Sequence, residues 1–353
     1  MRRWTAAAIF LLAACAPKPV EFPVGMYAVS TPAQAEALKS LGFNALQSYQ
    51  SEPKDVAALA SAARQNGQLL LISPDGAMKA GAHAGDFPGA VWYIQDEPDV
   101  SRVTPAQLSA HDRRVKAWAP RNLTAFVVGD ARKAKDYPGT ADVLMEDWYP
   151  VPHLPLESSG DMVKRAADAA GGRRVWAVLQ AFDWRLSPQH DPSKPRIGRF
   201  PTADEIRFMS YDAVLNGAQG VWYFALEPAD TFNLQHAPEL LKRVADAARQ
   251  MSALAPVFAR GRDIAPPFAP YPGAPAARAW TYHGRDYVIL AARPTGHALK
   301  CPPELLASRW RPLFENRRDP RDLLFFWHGD YYLNEHRVLV LESRLSPRRL
   351  LGL

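Results

Sequence analysis

The sequence is poor in cysteine, which limits how the chain is stabilised. Only two cysteines, Cys15 and Cys301, occur among its 353 residues. A chain of this length buries a sizeable hydrophobic core and does not need disulfides to fold. A small disulfide-stapled scaffold is therefore excluded, and the length suits one large domain with a smaller one.

The sequence also lacks an apolar run long enough to span a bilayer permanently. The apolar residues 4–14 fall well short of the roughly 20 that a membrane-spanning helix needs. Arg2 and Arg3 precede this segment, and the small residues before Cys15 end it. A short basic region followed by a short apolar region is typical of an export signal.

Leu12-Ala13-Ala14-Cys15 resembles the lipobox of bacterial lipoproteins. The resemblance implies that residues 1–15 are a signal peptide with its lipidated cysteine, and that lipid on Cys15 is the membrane anchor. It also implies a place in the cell envelope. Since Ala16 is not the aspartate of inner-membrane retention, the periplasmic or surface side of the outer membrane is favoured. An ordinary signal peptide with a chance cysteine is the alternative.

Several motifs that define other functions are missing. The net charge is +6, but the basic residues are scattered, with no basic stripe and no nucleic-acid module. No Gly-rich phosphate loop follows the first predicted strand, and no Gly-x-Ser-x-Gly elbow is present. Four histidines in loops lack the spacing of metal ligands, so we expect no metal and no other cofactor. These are His83, His153, His190 and His236.

Strand-like and helix-like patterns alternate from residue 22 to 258. Eight such pairs predict an α/β fold, a (β/α)8 TIM barrel, and a doubly wound sheet is the main rival. The Pro-rich residues 259–275 are interpreted as a linker, and residues 276–345 as a small C-terminal antiparallel β domain. Phe325-Phe326-Trp327 is interpreted as strand core rather than a carbohydrate module. The predicted barrel strands are 24–29, 43–49, 68–73, 91–95, 123–128, 141–145, 174–182 and 220–226.

The most informative segment is Val91-Trp92-Tyr93-Ile94-Gln95-Asp96-Glu97-Pro98. An apolar run ended by two carboxylates and a proline predicts a buried strand whose acids emerge at its carboxyl end. In a (β/α)8 barrel that end holds the active site, and partial burial there raises the pKa of a Glu toward neutrality. Glu97 is therefore a candidate general acid or base. A helix N-terminus decorated with acids is the alternative interpretation.

The other predicted strand ends carry carboxylates, amides and aromatic rings, which suit carbohydrate. Sugar rings stack on aromatic faces, while their hydroxyls need polar partners. Core packing is the alternative for each tryptophan. The candidate substrate-binding residues are Tyr49, Trp148, Tyr149, Gln180, Asp183, Trp184, Trp222 and Glu227.

Three of these segments resemble glycoside-hydrolase-type barrels and their uncharacterised relatives. Residues 93–98 resemble the strand-four motif in which a Glu before Pro is the acid/base. Asp147-Trp148-Tyr149-Pro150 resembles a later strand end, and Trp222-Tyr223 the aromatic of the last strand. The resemblance covers residues 22–258 and implies hydrolysis of O-glycosidic bonds.

One residue departs from that pattern. Many retaining hydrolases of this fold place a nucleophilic Glu at the end of strand seven, where this chain has Gln180. An amide cannot form the glycosyl ester. The second carboxylate is then Asp147, which we favour, or Glu146 or Asp183, or else Asp96 polarises a substrate acetamido group.

We therefore expect an enzyme with Glu97 as general acid/base, Asp147 as its partner and Asp96 in an orienting role. A catalytically silent glycan-binding or scaffold lipoprotein is the alternative. Expected partners are a carbohydrate substrate and a membrane, and no nucleic acid. Convergence of Glu97, Asp147 and Asp183 on one open pocket would favour the enzyme.

Overall fold

A computed structural model describes residues 20–186, 197–226, 236–269, 276–294 and 298–343. Eight parallel strands close into a barrel in the order β1 to β8, which confirms the predicted (β/α)8 architecture. The barrel strands are β1 Val24–Met26, β2 Ala45–Ser48, β3 Leu69–Ile72, β4 Val91–Gln95, β5 Thr124–Val128, β6 Val143–Trp148, β7 Arg174–Gln180 and β8 Val221–Phe224.

Helices connect the strands, and local sequence signals fix several of their ends. Thr31, Thr104 and Thr202 begin helices through capping boxes, each with Gln or Glu three residues later. None of the helices within the described ranges is long and apolar enough to cross a membrane. The α-helices are α1 Pro32–Ser40, α2 Pro53–Asn66, α3 Pro74–Lys79, α4 Pro105–Trp118, α5 Ser158–Ala169, α6 Ala203–Leu215 and α7 Pro238–Arg260.

Two apolar layers hold the barrel together. The outer layer lies between strands and helices. The inner layer fills the barrel, where Trp222 lies against Trp176 with ring centroids 5.5 Å apart. Gly25 makes room for Trp222, since a Cβ atom on Gly25 would lie 2.0 Å from the indole ring. The barrel is therefore solid in its middle and open only at its rims.

The C-terminal part forms two antiparallel sheets, as predicted. One contains β9 Arg262–Ile264, β10 Ala276–Tyr282, β11 Arg285–Ala291, β13 Trp310–Pro312 and β16 Val338–Ser343. The other contains β12 Leu299–Lys300, β14 Phe325–Trp327 and β15 Asp330–Leu333. The larger sheet packs on α6 and α7, and Arg293 forms an ion pair with the fully buried Asp212 of α6.

Three details differ from the sequence prediction. Helix α7 and strand β9 occupy the first part of the predicted linker, whose residues 270–275 lie outside the described ranges. Strand β6 continues to Trp148, three residues beyond the predicted end. Strand β14 does form, but Phe326 and Trp327 are 63% and 58% exposed, because β14 is the edge of a three-stranded sheet and not part of a core.

Candidate active site

Asp96 and Glu97 follow β4 directly, at the rim where the carboxyl ends of all eight strands meet. The pairing of β4 with β5 shifts between Tyr93 and Gln95, so the strand turns away from the sheet before the two acids. Glu97 has a φ of 38°, a left-handed conformation that is costly for a residue with a side chain. Backbone N–H groups of Val100 and Ser101 donate to the Glu97 carbonyl and hold this turn.

The loop after β5 leaves space for the Glu97 side chain and is hydrogen-bonded to the loop after β4. The Asp99 carboxylate accepts hydrogen bonds from the N–H groups of Gly129 and Asp130, at 3.1 and 3.0 Å. A Cβ atom on Gly129 would lie 3.0 Å from Glu97 Oε1, so glycine leaves space for this carboxyl group. The loops after β4 and β5 therefore position Glu97 together.

Asp147 approaches Glu97 from β6. Inward and outward side chains alternate along this strand, with Met145 in the barrel interior and Leu144 against the helices. Asp147 shares the inward face and is 8% exposed. Its Oδ2 accepts a hydrogen bond from the Tyr149 hydroxyl at 3.0 Å, and Glu97 lies close enough for the two carboxyl groups to influence each other's ionisation.

The environment favours retention of a proton by this carboxyl pair. Burial raises the pKa of Asp147 well above its usual value, and the charges of Glu97 and Asp96 add to the effect. Burial and the Asp96 charge also raise the pKa of Glu97, although the hydrogen bond with Asp147 opposes the rise. Two neighbouring carboxyl groups oppose each other's ionisation, so the pair favours a state with one proton.

Asp96 completes a group of three carboxyls. The Tyr93 hydroxyl donates a hydrogen bond to Asp96 Oδ1 over 2.6 Å. Burial raises the pKa of Asp96, and the Tyr93 hydrogen bond works against that shift. Asp96 retains exposed surface at the mouth, where it can meet a ligand.

Aromatic rings form one wall of the mouth. Tyr149 packs on Phe182 at 5.0 Å and stacks on Phe224 at 5.7 Å, measured between ring centroids. Trp184 joins them, donating its indole N–H to the Tyr149 carbonyl at 3.2 Å, and keeps part of its surface exposed. Tyr49, half exposed, lies 6.4 Å from Tyr27 in the loop after β2. These rings offer flat apolar faces beside the carboxyl groups.

Two predicted sugar platforms lie elsewhere. Trp222 is fully buried inside the barrel, so it presents no face to a ligand. Trp148 is the last residue of β6 and packs in the outer layer, donating its indole N–H to Ser158 Oγ at 3.0 Å. The strand is longer than predicted, which puts Trp148 on the outward side.

Two polar residues that were predicted to bind substrate interact with other residues of the protein instead. Gln180 is fully buried, and its amide bonds the N–H and carbonyl of Val151, each at 2.8 Å. Asp183 forms an ion pair with Arg185. Although burial opposes ionisation, hydrogen bonds from Arg185 hold the pKa of Asp183 below its usual value. Neither group joins Glu97 and Asp147, and Glu227 lies outside the described residues.

Glu146 faces away from the mouth. Its carboxyl is 1% exposed, and Oε1 has no hydrogen-bond partner in the described part of the chain. Burial, with a smaller contribution from the Asp130 charge, raises its pKa well above the usual value. The strand alternation thus decides between the two adjacent acids of β6, and Asp147 is the one at the mouth.

Sequence reasoning missed Tyr27 and Gly129. Tyr27 is buried after β1, where its ring lies 6.3 Å from Tyr93 and 5.7 Å from Phe224. Both residues directly follow barrel strands. That position, common to the residues of this rim, is the signal that could have found them.

The fold resembles glycoside hydrolases of known structure. A family 5 glycoside hydrolase from Bacteroides vulgatus aligns over 91% of this chain and 88% of its own, with 12% identity and a TM-score of 0.55. An α-amylase from Geobacillus thermoleovorans, solved with acarbose, aligns over 93% and 99%, with 12% identity and a TM-score of 0.52. A family 30 endoxylanase from Clostridium papyrosolvens aligns over 93% and 98%, with 10% identity and a TM-score of 0.51.

These matches show that the chain has a (β/α)8 barrel fold, which it shares with glycoside hydrolases of known structure. No family model and no curated protein matches the sequence. At identities of 10–12% the likeness extends to the fold alone, and the function is argued from the site.

Proposed function

We propose that the protein hydrolyses O-glycosidic bonds of an oligo- or polysaccharide at the Glu97–Asp147 pair. The observation that carries this proposal is that Glu97 and Asp147 influence each other electrostatically at the carboxyl rim of the barrel, where burial raises the pKa of both groups. Glycoside hydrolysis needs one protonated and one ionised carboxyl group on opposite sides of the bond. A carboxyl pair that holds one proton supplies both forms.

In the proposed reaction the proton held by the pair lies on Glu97 when the sugar is bound. Glu97 donates it to the glycosidic oxygen while the ionised Asp147 attacks the anomeric carbon. The bond to the leaving oxygen breaks and an ester to Asp147 forms. Glu97 then takes a proton from water, which attacks the same carbon and releases Asp147. Asp96 and Tyr93 orient the sugar hydroxyls or an acetamido group from the exposed side of the mouth.

A covalent intermediate on Asp147, as proposed here, implies retention of anomeric configuration. Retaining enzymes hold the two carboxyl groups about 5–5.5 Å apart, whereas inverting enzymes need roughly 6.5–9.5 Å to fit a water molecule between them. The covalent step proposed above at Asp147 requires the shorter separation. Product anomers followed by NMR during turnover test this, and an inverted first product would contradict it.

The second candidate function is glycan binding without cleavage. Gln180 favours it, because the end of β7 carries a neutral amide committed to the Val151 backbone. The aromatic wall and Asp96 would serve a binding protein equally well. The two candidates differ in their dependence on Glu97.

The test uses the protein from Ala16 onward, which contains every described element. It is incubated with a panel of polysaccharides and aryl glycosides, and reducing ends or aglycone are assayed. We expect Glu97→Gln to lose about 10²–10⁴-fold in rate, the usual contribution of a general acid. Glu36→Gln, on the exposed face of α1, is the matched control. Glycan binding without turnover, equal in all three proteins, would establish the binding function instead.

We also propose that the chain is a cell-envelope lipoprotein anchored through Cys15. The support is the sequence of residues 1–15, which lie outside the described ranges. Cys15→Ser should move the protein from the membrane fraction to the soluble fraction of the cell. Unchanged fractionation would reject the anchor.

A further inference from the structure

The barrel end opposite the mouth carries a basic cavity. Its volume is about 240 Å³, and three arginines from different elements line it. Arg64 lies in the last turn of α2, Arg121 in the loop before β5, and Arg174 begins β7. Arg64 and Arg121 precede strands and Arg174 is the first residue of one, so the three arginines lie at the amino-terminal rim of the barrel.

The three arginines form no ion pair with any acidic residue that the structure describes. Each is exposed, and within the described ranges none has a carboxylate at ion-pair distance. No aspartate or glutamate lines the cavity. Glu21, at the same end of the barrel, is paired with Arg260 instead. Three unpaired guanidinium groups around one cavity repel one another unless an anion lies between them.

The rest of the lining suits a group that is anionic at one end and apolar at the other. Val20, Leu69 and Val91 contribute apolar surface. Trp176 also lines the cavity, and its buried indole N–H has no acceptor in the described part of the chain. Guanidinium and indole groups only donate hydrogen bonds, and the lining carries no carboxylate, so donors outweigh acceptors and suit phosphate oxygens.

We propose that this cavity binds the phosphate of an anionic lipid headgroup, so that the base of the barrel lies on a membrane surface. Val20 lines the cavity, and residues 1–19 precede it, so the chain reaches the barrel at this end. Arginine matches phosphate with paired hydrogen bonds. The proposal uses neither Glu97 nor Asp147 and stands apart from the proposed hydrolysis.

The test is vesicle binding by the protein from Ala16 onward, which carries no lipid. Vesicles of phosphatidylcholine are compared with vesicles of equal parts phosphatidylcholine and phosphatidylglycerol by co-sedimentation at low salt. We expect binding to the anionic vesicles only. The Arg64→Gln/Arg121→Gln/Arg174→Gln variant should bind about a hundredfold more weakly, since each basic residue near an anionic surface contributes roughly fivefold.

The control removes the same charge from other faces. Arg113, Arg165 and Arg317 are exposed and form no ion pair in the described structure, and the variant with all three changed to Gln should keep most of its binding. Equal loss in both variants would overturn the proposal, since binding would then follow net charge. Binding of soluble glycerol phosphate without vesicle binding, or no binding at all, would also overturn it. Circular dichroism melting verifies that both variants fold.

Discussion

Glu146 and Asp147 show how one residue step separates two chemical environments. Asp147 lies beside Glu97 and Asp96 at the mouth, whereas Glu146 is enclosed between β6 and the surrounding layer. Both carboxyls have raised pKa values because burial disfavours their charged forms. Only Asp147 lies beside other carboxyl groups, Glu97 and Asp96, with which a raised pKa can serve acid–base chemistry.

The raised pKa of Glu146 predicts how the stability of the folded protein depends on pH. The folded protein holds this proton more tightly than the unfolded chain, so the stabilisation is complete below the unfolded pKa of about 4.3 and is lost as pH rises toward the folded pKa. We expect Glu146→Gln to be more stable than the parent near neutral pH, because Gln has no proton to lose. Below about pH 4 the difference should vanish.

Denaturant unfolding at a series of pH values measures this difference. Glu36→Gln is the control, since Glu36 is exposed and should show no such pH dependence. A Glu146→Gln variant less stable than the parent at neutral pH would mean that Glu146 is ionised and paired.

The sequence indicated which residue types lie at the site, but it did not indicate which way each side chain points. Asp96 and Glu97 follow an apolar run directly, and that pattern led to them. Trp148 was misplaced because β6 is longer than its apolar run, and a side chain's face changes with every residue of a strand. Gln180 and Asp183 lie near the rim as expected, but their partners, Val151 and Arg185, are set by loop folding that local patterns do not encode.

At the scale of elements, barrel closure depends on matching large and small side chains. Strands β1 and β8 are neighbours, and Gly25 pairs with Trp222 in their register. The prediction of eight strands from apolar alternation needed no knowledge of this match. A strand pattern reports burial, whereas the fit between Gly25 and Trp222 depends on which strands end up adjacent.

Gly25→Ala should therefore destabilise the barrel strongly. The added methyl would lie 2.0 Å from the Trp222 ring, so either the indole or the strand must move. We expect a loss of about 3 kcal/mol in unfolding free energy, at the upper end for overpacking. Equilibrium denaturation measures it, and adding Trp222→Leu should recover part of the loss.

Gly85→Ala is the matched control, because a Cβ atom there would meet no heavy atom within 4 Å. Similar losses at both glycines would show that backbone freedom, and not the fit to Trp222, is responsible.

At the scale of the whole molecule, two kinds of ion pair join the C-terminal sheets to the barrel. Arg293 donates to both oxygens of Asp212 at 2.9 Å, and Asp212 is fully buried. Arg337 pairs with Asp204 at 2.7 Å, where both side chains are exposed. The sequence predicted a small β domain on the barrel but gave no means of pairing these residues, which lie far apart in the chain.

Breaking the two pairs should have very different consequences. Arg293→Gln leaves the Asp212 charge buried without its partner, which costs about 3–5 kcal/mol. Arg337→Gln removes an exposed pair, which contributes less than about 1 kcal/mol. Calorimetry should show a large fall in melting temperature for the first variant and almost none for the second. Equal shifts would argue that Asp212 takes up a proton at little cost.

The filled interior of the barrel also determines how a ligand enters and leaves the mouth. Trp176 and Trp222 close the middle of the barrel, so no molecule passes from one rim to the other. Whatever enters above Glu97 must leave by the same opening. A long polymer can then only lie across that opening, with both of its ends free in the surroundings.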